Sequence, residues 1–201
     1  LNSNFPNQRE MLAQIFRELS NVYSNTLQDY ETSLEYSFQG YKLNVKSLNS
    51  IFLNNIGSNY MSMEEYDNAL KYFNEGITKA DDTESATSFL FLYHNTGEVI
   101  LKKGDINASL PYFNEVIKRS QQILSESKNQ IEIWNCNYIL SYSLYYKAEA
   151  YIQLEDLMSA NNMLQEGKAF CQNTGQFQTL SEFYLLEAKF LLNQRKCSDF
   201  D

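Results

Sequence analysis

The sequence predicts an all-α fold built from a repeated two-helix unit, and three observations carry that prediction. Apolar residues recur at helical spacing along nearly the whole chain, beginning with Met11, Leu12, Ile15, Phe16, Leu19 and Val22. Matching residues recur at a fixed offset: Gly57 and Gly97 (97 − 57 = 40), Phe73 and Phe113, and the tripeptides Phe73-Asn74-Glu75 and Phe113-Asn114-Glu115. Finally, only two prolines and seven glycines are spread over 201 residues, and no Ser/Gly/Pro-rich linker interrupts them. A fixed period with matching residue types marks a solenoid, in which each unit buries its face against its neighbours.

Taken in order, residues 1–7 read as a loosely packed lead-in. A helix follows from Gln8 to Asn25, and a second carries Tyr30, Leu34, Phe38 and Tyr41. Tyr30, Ser33 and Leu34 align with Tyr66, Ala69 and Leu70 at an offset of 36 (66 − 30 = 36), which makes this a degenerate first repeat with Asn21 where Gly57 stands later. In the second repeat Gly57 and Ala69 are small where the two helices approach most closely, Phe73 reaches across, and Ser62 is the expected N-cap of the second helix. The third repeat opens at the polar turn Asp81-Asp82-Thr83-Glu84, and Pro111 predicts a slight bend without a break in its second helix. In the fourth, Ala148, Tyr151, Leu157, Ala160 and Leu164 reproduce the series from Gly57 to Phe73. The step from Gly97 is 51 (148 − 97 = 51), so about eleven extra residues lengthen the helices or the turn near Ser125–Gln130. Trp134 is expected to fill the core or an inter-repeat gap. Ala188 lies 40 beyond Ala148, in a last helix whose partner would begin where the sequence stops, leaving one apolar face uncovered.

The pattern L-x2-I-G-x2-Y formed by Leu53, Ile56, Gly57 and Tyr60, followed by Y-x2-A-x3-F at Tyr66, Ala69 and Phe73, is similar to the tetratricopeptide repeat. The resemblance covers nearly the whole chain and is most specific in residues 50–117. A period of about 40 resembles the long-helix variants of bacterial signalling and regulatory proteins more than the shorter standard repeat. The resemblance implies a right-handed α-α superhelix of four helix pairs plus a terminal helix. It implies a single array over 1–201, with repeats at 8–44, 45–80, 82–127 and 130–173 and a terminal helix at 176–195. The lack of an initiator Met fits a segment of a longer protein.

Composition narrows the function. The formal net charge is −9, from 25 acidic and 16 basic residues, which argues against direct nucleic-acid binding because that relies on a basic face. Cys136, Cys171 and Cys197 are odd in number and widely spaced, the pattern of free thiols in a reducing, cytoplasmic setting. No membrane span or signal peptide is visible. The one histidine, His94, has no metal-ligand spacing around it, and no glycine-rich phosphate loop occurs. No catalytic residue, metal or cofactor is therefore expected, and the chain reads as a non-enzyme.

In tetratricopeptide-repeat families the concave face is lined by helix-A residues three before, one after and four after the small position. Carried onto this sequence, the resemblance implies a groove containing Glu18, Asn54, Ser58, His94, Glu98, Tyr145, Glu149 and Lys189. Asn54 and His94 would bond an extended peptide, Tyr145 would hold a side chain, and the glutamates favour a basic or amine-bearing ligand. The expected function is a protein- or peptide-binding module, the sensor or interaction part of a bacterial signalling protein. The rivals are a free-standing structural adaptor and a homodimer formed through the C-terminal helix.

Overall fold

A computed structural model describes residues 5–79 and 86–198; the turn expected at Asp81–Glu84 and the first four residues lie outside them. Nine α-helices and no strand are found among the described residues: α1 Phe5–Val22, α2 Tyr30–Lys42, α3 Asn49–Ser62, α4 Tyr66–Lys79, α5 Ala86–Lys102, α6 Ile106–Glu126, α7 Gln130–Gln153, α8 Leu157–Thr174 and α9 Phe177–Ser198. The fold is all-α and of the helical-repeat class. Two compact units are present, Leu1–Val99 and Ile100–Asp201, with α5 divided between them.

The turn inside each helix pair is made the same way each time. Gln28, Glu64, Gly104 and Glu155 adopt positive φ (54°, 62°, 88° and 58°), and each stands directly before an acidic residue. Three of those acids, Asp29, Asp105 and Asp156, cap the next helix by accepting from the backbone N–H of Thr32, Ala108 and Ser159. The left-handed residue reverses the chain, and the carboxylate satisfies a donor that the helix leaves open. Ser62 does not cap α4 as expected: α3 runs through it, and Glu64 makes the turn instead. The first helix likewise starts earlier than expected, at Phe5, and extends past Val22 as a π-helical turn over Tyr23–Leu27. Pro111 leaves α6 unbroken, because it sits near the helix start where few backbone bonds are lost.

In the first unit, α1 packs on α2, α3 on α2 and α4, and α5 closes against α4. The packing device is a glycine socket. A Cβ on Gly57 would lie 2.4 Å from Phe73 Cε1, one on Gly40 2.2 Å from Phe52 Cζ, and one on Gly76 2.7 Å from Leu92 Cδ2. Phe52, Phe73 and Leu92 are all completely buried there, each contributing about 1.5–3 kcal/mol by its burial. In the first hairpin Ser20 replaces glycine and bonds the hydroxyls of Ser33 and Ser37 at 3.0 and 2.6 Å. Ser20, and not Asn21, therefore takes the place of Gly57, a shift of one residue from the expected register. Asn59 extends this buried polar seam by donating to Ser33 Oγ.

The second unit repeats the design. A Cβ on Gly167 of α8 would lie 2.0 Å from Phe183 Cζ of α9, and Phe183 is fully buried among Leu140, Leu144, Ala148, Leu164 and Cys171. A separate cluster joins Leu101, Phe113 and Ala150, with Tyr146 stacked on Phe113. Across α8 and α9, Lys168 Nζ donates to both carboxylate oxygens of Glu187, and lies over the Tyr184 ring.

Candidate functional site

Within each unit the first helices of successive pairs lie side by side, α1, α3 and α5 in the first and α7 and α9 in the second, and the side chains that meet there form a row. In the first unit the row is made of amides. Asn55 Nδ2 donates to Asn21 Oδ1 at 3.1 Å, and Asn95 Nδ2 donates to Asn54 Oδ1 at 2.9 Å and Ser58 Oγ at 3.3 Å. All five residues are half-buried, so they are held in place yet reached by solvent. Carboxamides carry both donors and acceptors, the pair of functions that a peptide backbone also carries.

Two residues expected beside Asn54 and Ser58 behave differently. His94 and Glu98 on α5 are buried, at 4% and 7% exposure, with His94 Nε2 3.9 Å from Glu98 Oε2. Burial holds the imidazole pKa down to about 4 although Glu98 pulls it upward, so His94 is neutral at pH 7. The pair belongs to the interior of α5's packing and not to the amide row. Glu18 is exposed beside Arg17 on the outer side of α1, among Met11, Ile15 and Val22. The one-residue register shift accounts for this, since it turns Asn21 into the row in place of Glu18. Asn95 was absent from the sequence-based set because it stands two residues before Gly97, a place the family pattern does not use.

In the second unit the row is aromatic. Trp134, Tyr138 and Tyr142 follow one another at i, i+4 and i+8 on α7, with ring centroids 5.6 and 4.9 Å apart. Tyr142 Oη donates to Glu182 Oε1 of α9 at 3.3 Å, and Ser141 Oγ lies 3.1 Å from Thr179 Oγ1. Burial raises the Tyr142 pKa well above the ordinary phenol value, and the neighbouring Tyr138 and Glu182 act in the same direction. Tyr145 continues the row, edge-on to Tyr146 and Phe183, and Glu149 follows it one turn on, half-buried. Lys189 stands exposed on α9.

Trp134 does not fill the core as expected: 59% of it is exposed. The reason is the length of α7, which starts 18 residues before Ala148 (148 − 130 = 18), while α9 starts 11 before Ala188 (188 − 177 = 11). The first two turns of α7 therefore have no counterpart on α9, and the indole lies largely in solvent, stacked on Tyr138.

The second unit also holds an apolar cavity of about 220 Å³ between α6, α7 and α8, walled by Ile117, Leu124, Leu140, Leu144 and Phe170 with Glu166 beside them. Cys136 and Cys171 are buried, and burial pushes both thiols up to about 11, which removes their nucleophilic form at neutral pH. Among the described residues no group of three or more His, Cys, Asp or Glu side chains is placed to hold a metal ion. No described helix is long and apolar enough to cross a membrane.

Helix hairpins with small-residue sockets, joined through side-chain rows on their first helices, define an interaction scaffold of the helical-repeat class. Residues 52–78, within α3 and α4, match the tetratricopeptide repeat family. No curated protein sequence matches the chain. Among solved structures, it resembles aspartyl phosphate phosphatase F from Bacillus subtilis with a TM-score of 0.75 at 17% identity, over 94% of this chain. The chain spans 48% of that phosphatase, about half its length. It also resembles a putative kinesin light chain from Podosopora anserina with nearly identical TPR-like repeats, at a TM-score of 0.59 and 15% identity, over 92% of this chain and 93% of that one. At these identities the likeness is one of fold. Folds of this family serve as protein–protein interaction modules and are generally not catalytic.

Proposed function

We propose that the chain is the ligand-reading part of a cytoplasmic bacterial signalling or regulatory protein, a single array that takes an extended, basic peptide or protein segment along the first helices of its pairs. The observation that carries this reading is the pair of side-chain rows on those helices, one in each unit. An amide row of Asn21, Asn55, Asn54 and Asn95 suits a peptide backbone, and an aromatic row of Trp134, Tyr138 and Tyr142 bordered by Glu182 suits cationic and apolar side chains. Of the groove residues expected from sequence, Asn54, Ser58, Tyr145, Glu149 and Lys189 remain in this proposal; Glu18, His94 and Glu98 do not. Ligand binding would act on an attached output domain by shifting the populations of repeat packings.

The test is to pan the folded chain against a random peptide display library and measure the affinity of the enriched sequences. Enrichment of basic peptides whose binding falls at least about tenfold, roughly 1.4 kcal/mol, in Asn95→Ala or Tyr138→Ala supports the reading. Failure to enrich any sequence, or binding indifferent to both changes, removes it.

A second reading has its own observation. On α9 Tyr184, Leu185, Leu191 and Leu192 are all exposed, which favours self-association through that helix in an adaptor. Light scattering at twice the 23.4 kDa mass, reduced to the single mass by Leu185→Glu, would establish it.

A further inference from the structure

We infer that the cavity between α6, α7 and α8 is a binding site for a small arylalkylamine, a single aromatic ring carrying a primary ammonium on a short arm. The cavity lies within the second unit, between the second helices α6 and α8 with α7 as its floor, apart from the rows on the first helices. Helices of the chain itself flank it on both sides.

The first unit shows what such a gap holds when the chain fills it. The turns set the correspondence: Gln28 and Gly104 are the positive-φ residues before α2 and α6 (104 − 28 = 76), and Glu64 and Glu155 those before α4 and α8 (155 − 64 = 91). Between α2 and α4, Tyr41 Oη donates to Glu75 Oε1 at 2.8 Å. Lys79 Nζ donates to that same carboxylate oxygen at 2.6 Å and to Tyr41 Oη at 2.7 Å. Beside them the rings of Phe38 and Tyr72 meet edge-on, with centroids 5.7 Å apart. At the matching places α6 carries Ile117 for Tyr41 (117 − 41 = 76), and α8 carries Glu166 for Glu75 and Phe170 for Lys79 (166 − 75 = 170 − 79 = 91). Phe38 and Tyr72 give way to Asn114 and Met163 (114 − 38 = 76, 163 − 72 = 91). The carboxylate is kept, the phenol ring and the ammonium that engage it are replaced, and Ile117, Glu166 and Phe170 line an open cavity.

Those two replaced groups specify the ligand. A volume of about 220 Å³ admits one ring with a short arm, since an apolar cavity of about 150 Å³ already holds benzene. Ile117, Leu124, Leu140 and Leu144 would hold the ring. Glu166 would receive the ammonium through its charge and Phe170 through its ring face. In the first unit Lys79 Nζ stands 5.4 Å from the centroid of the Tyr41 ring, about the separation that an arm of two carbons gives. The chain offers Glu166 one neighbouring cation of its own, Lys147 on α7, but burial lowers the Lys147 pKa more than Glu166 raises it. Lys79 is the reverse case, raised foremost by its bond to Glu75, so Lys147 is the weaker partner.

The probe is phenethylamine, titrated into the intact chain by calorimetry. Saturable one-to-one binding is expected, weakened about tenfold or more by Glu166→Gln and removed by Ile117→Tyr, which returns a ring to the gap. Ethylbenzene and butylamine, each holding half of the required chemistry, should bind at least about tenfold more weakly. Phe-Gly-Gly carries the same ring and ammonium at the end of a peptide, and the tighter of the two amines names the source. Because Glu166 is exposed, Glu166→Gln should keep the wild-type far-UV dichroism. It should also bind display-selected peptides unchanged, which separates this inference from the proposed peptide reading. Absence of saturable binding by either amine, binding indifferent to Glu166→Gln, or ethylbenzene binding as tightly as phenethylamine overturns the inference.

Discussion

Replacing Gly57 by alanine tests the packing rule on which the fold rests. On helix propensity alone the change should stabilise α3 by about 1 kcal/mol, since glycine is the poorest helix former after proline. The structure predicts the opposite sign. The new Cβ would lie 2.4, 2.5 and 2.9 Å from three atoms of the Phe73 ring, where ordinary contact needs about 3.4 Å or more. Phe73 is completely buried beside Ala69, Leu92 and Val99, so its ring has no room to retreat by the ångström required. Overpacking of this kind costs about 1–3 kcal/mol, and a near-rigid aromatic puts the cost at the upper end. The net expectation is a loss of about 1–2 kcal/mol, read as a lower urea midpoint with unchanged slope in denaturation followed by far-UV dichroism. Phe73→Leu in the same chain should return part of that loss, giving a coupling of about 1 kcal/mol in the double-mutant cycle. A Gly57→Ala chain as stable as wild type, or more so, refutes the socket.

Other outcomes follow from the same structure. Glu64→Gly and Glu155→Gly, at φ of 62° and 58°, should each stabilise by a few tenths to about 1 kcal/mol in the same urea assay, because glycine adopts that conformation without a Cβ clash. Asp105→Ala and Asp156→Ala should each cost about 1 kcal/mol by uncapping α6 and α8, and Asn at either place should restore most of it. His94 has a folded pKa near 4, below its unfolded value of 6.5, so the unfolded chain takes up the proton first. Its contribution to stability is therefore complete above pH 6.5 and is lost as pH falls toward 4, by up to about 3 kcal/mol. His94→Gln should flatten that part of the stability–pH curve measured by urea titration.

Much of the fold was legible because packing wrote itself into spacing. The 40-residue offset from Gly57 to Gly97, and the small residues at Gly57 and Ala69, follow from one physical demand, the close approach of two helices. That same demand left a second trace, a spacing of 16 from Gly57 to Phe73, Gly76 to Leu92 and Gly167 to Phe183 (73 − 57 = 92 − 76 = 183 − 167 = 16), which names each socket and its ring. The site was less legible. Whether a side chain lies in a row or under it depends on register, and one residue of drift in α1 exchanges Asn21 for Glu18. His94 and Asn95 are neighbours in sequence, yet one is buried and the other bridges Asn54 and Ser58, a difference set by about 100° of helix rotation. The exposure of Trp134 follows from the overhang of α7 past the start of α9, which no local pattern records.

The most direct test of the proposed function is the affinity of a display-selected basic peptide for three variants measured side by side: Asn95→Ala in the amide row, Tyr138→Ala in the aromatic row, and Lys118→Ala on the exposed side of α6. The account predicts that the first two each weaken binding at least about tenfold while the third leaves it unchanged. Loss of binding in Lys118→Ala with full affinity in the other two would contradict it, and would move the ligand to the second helices of the pairs.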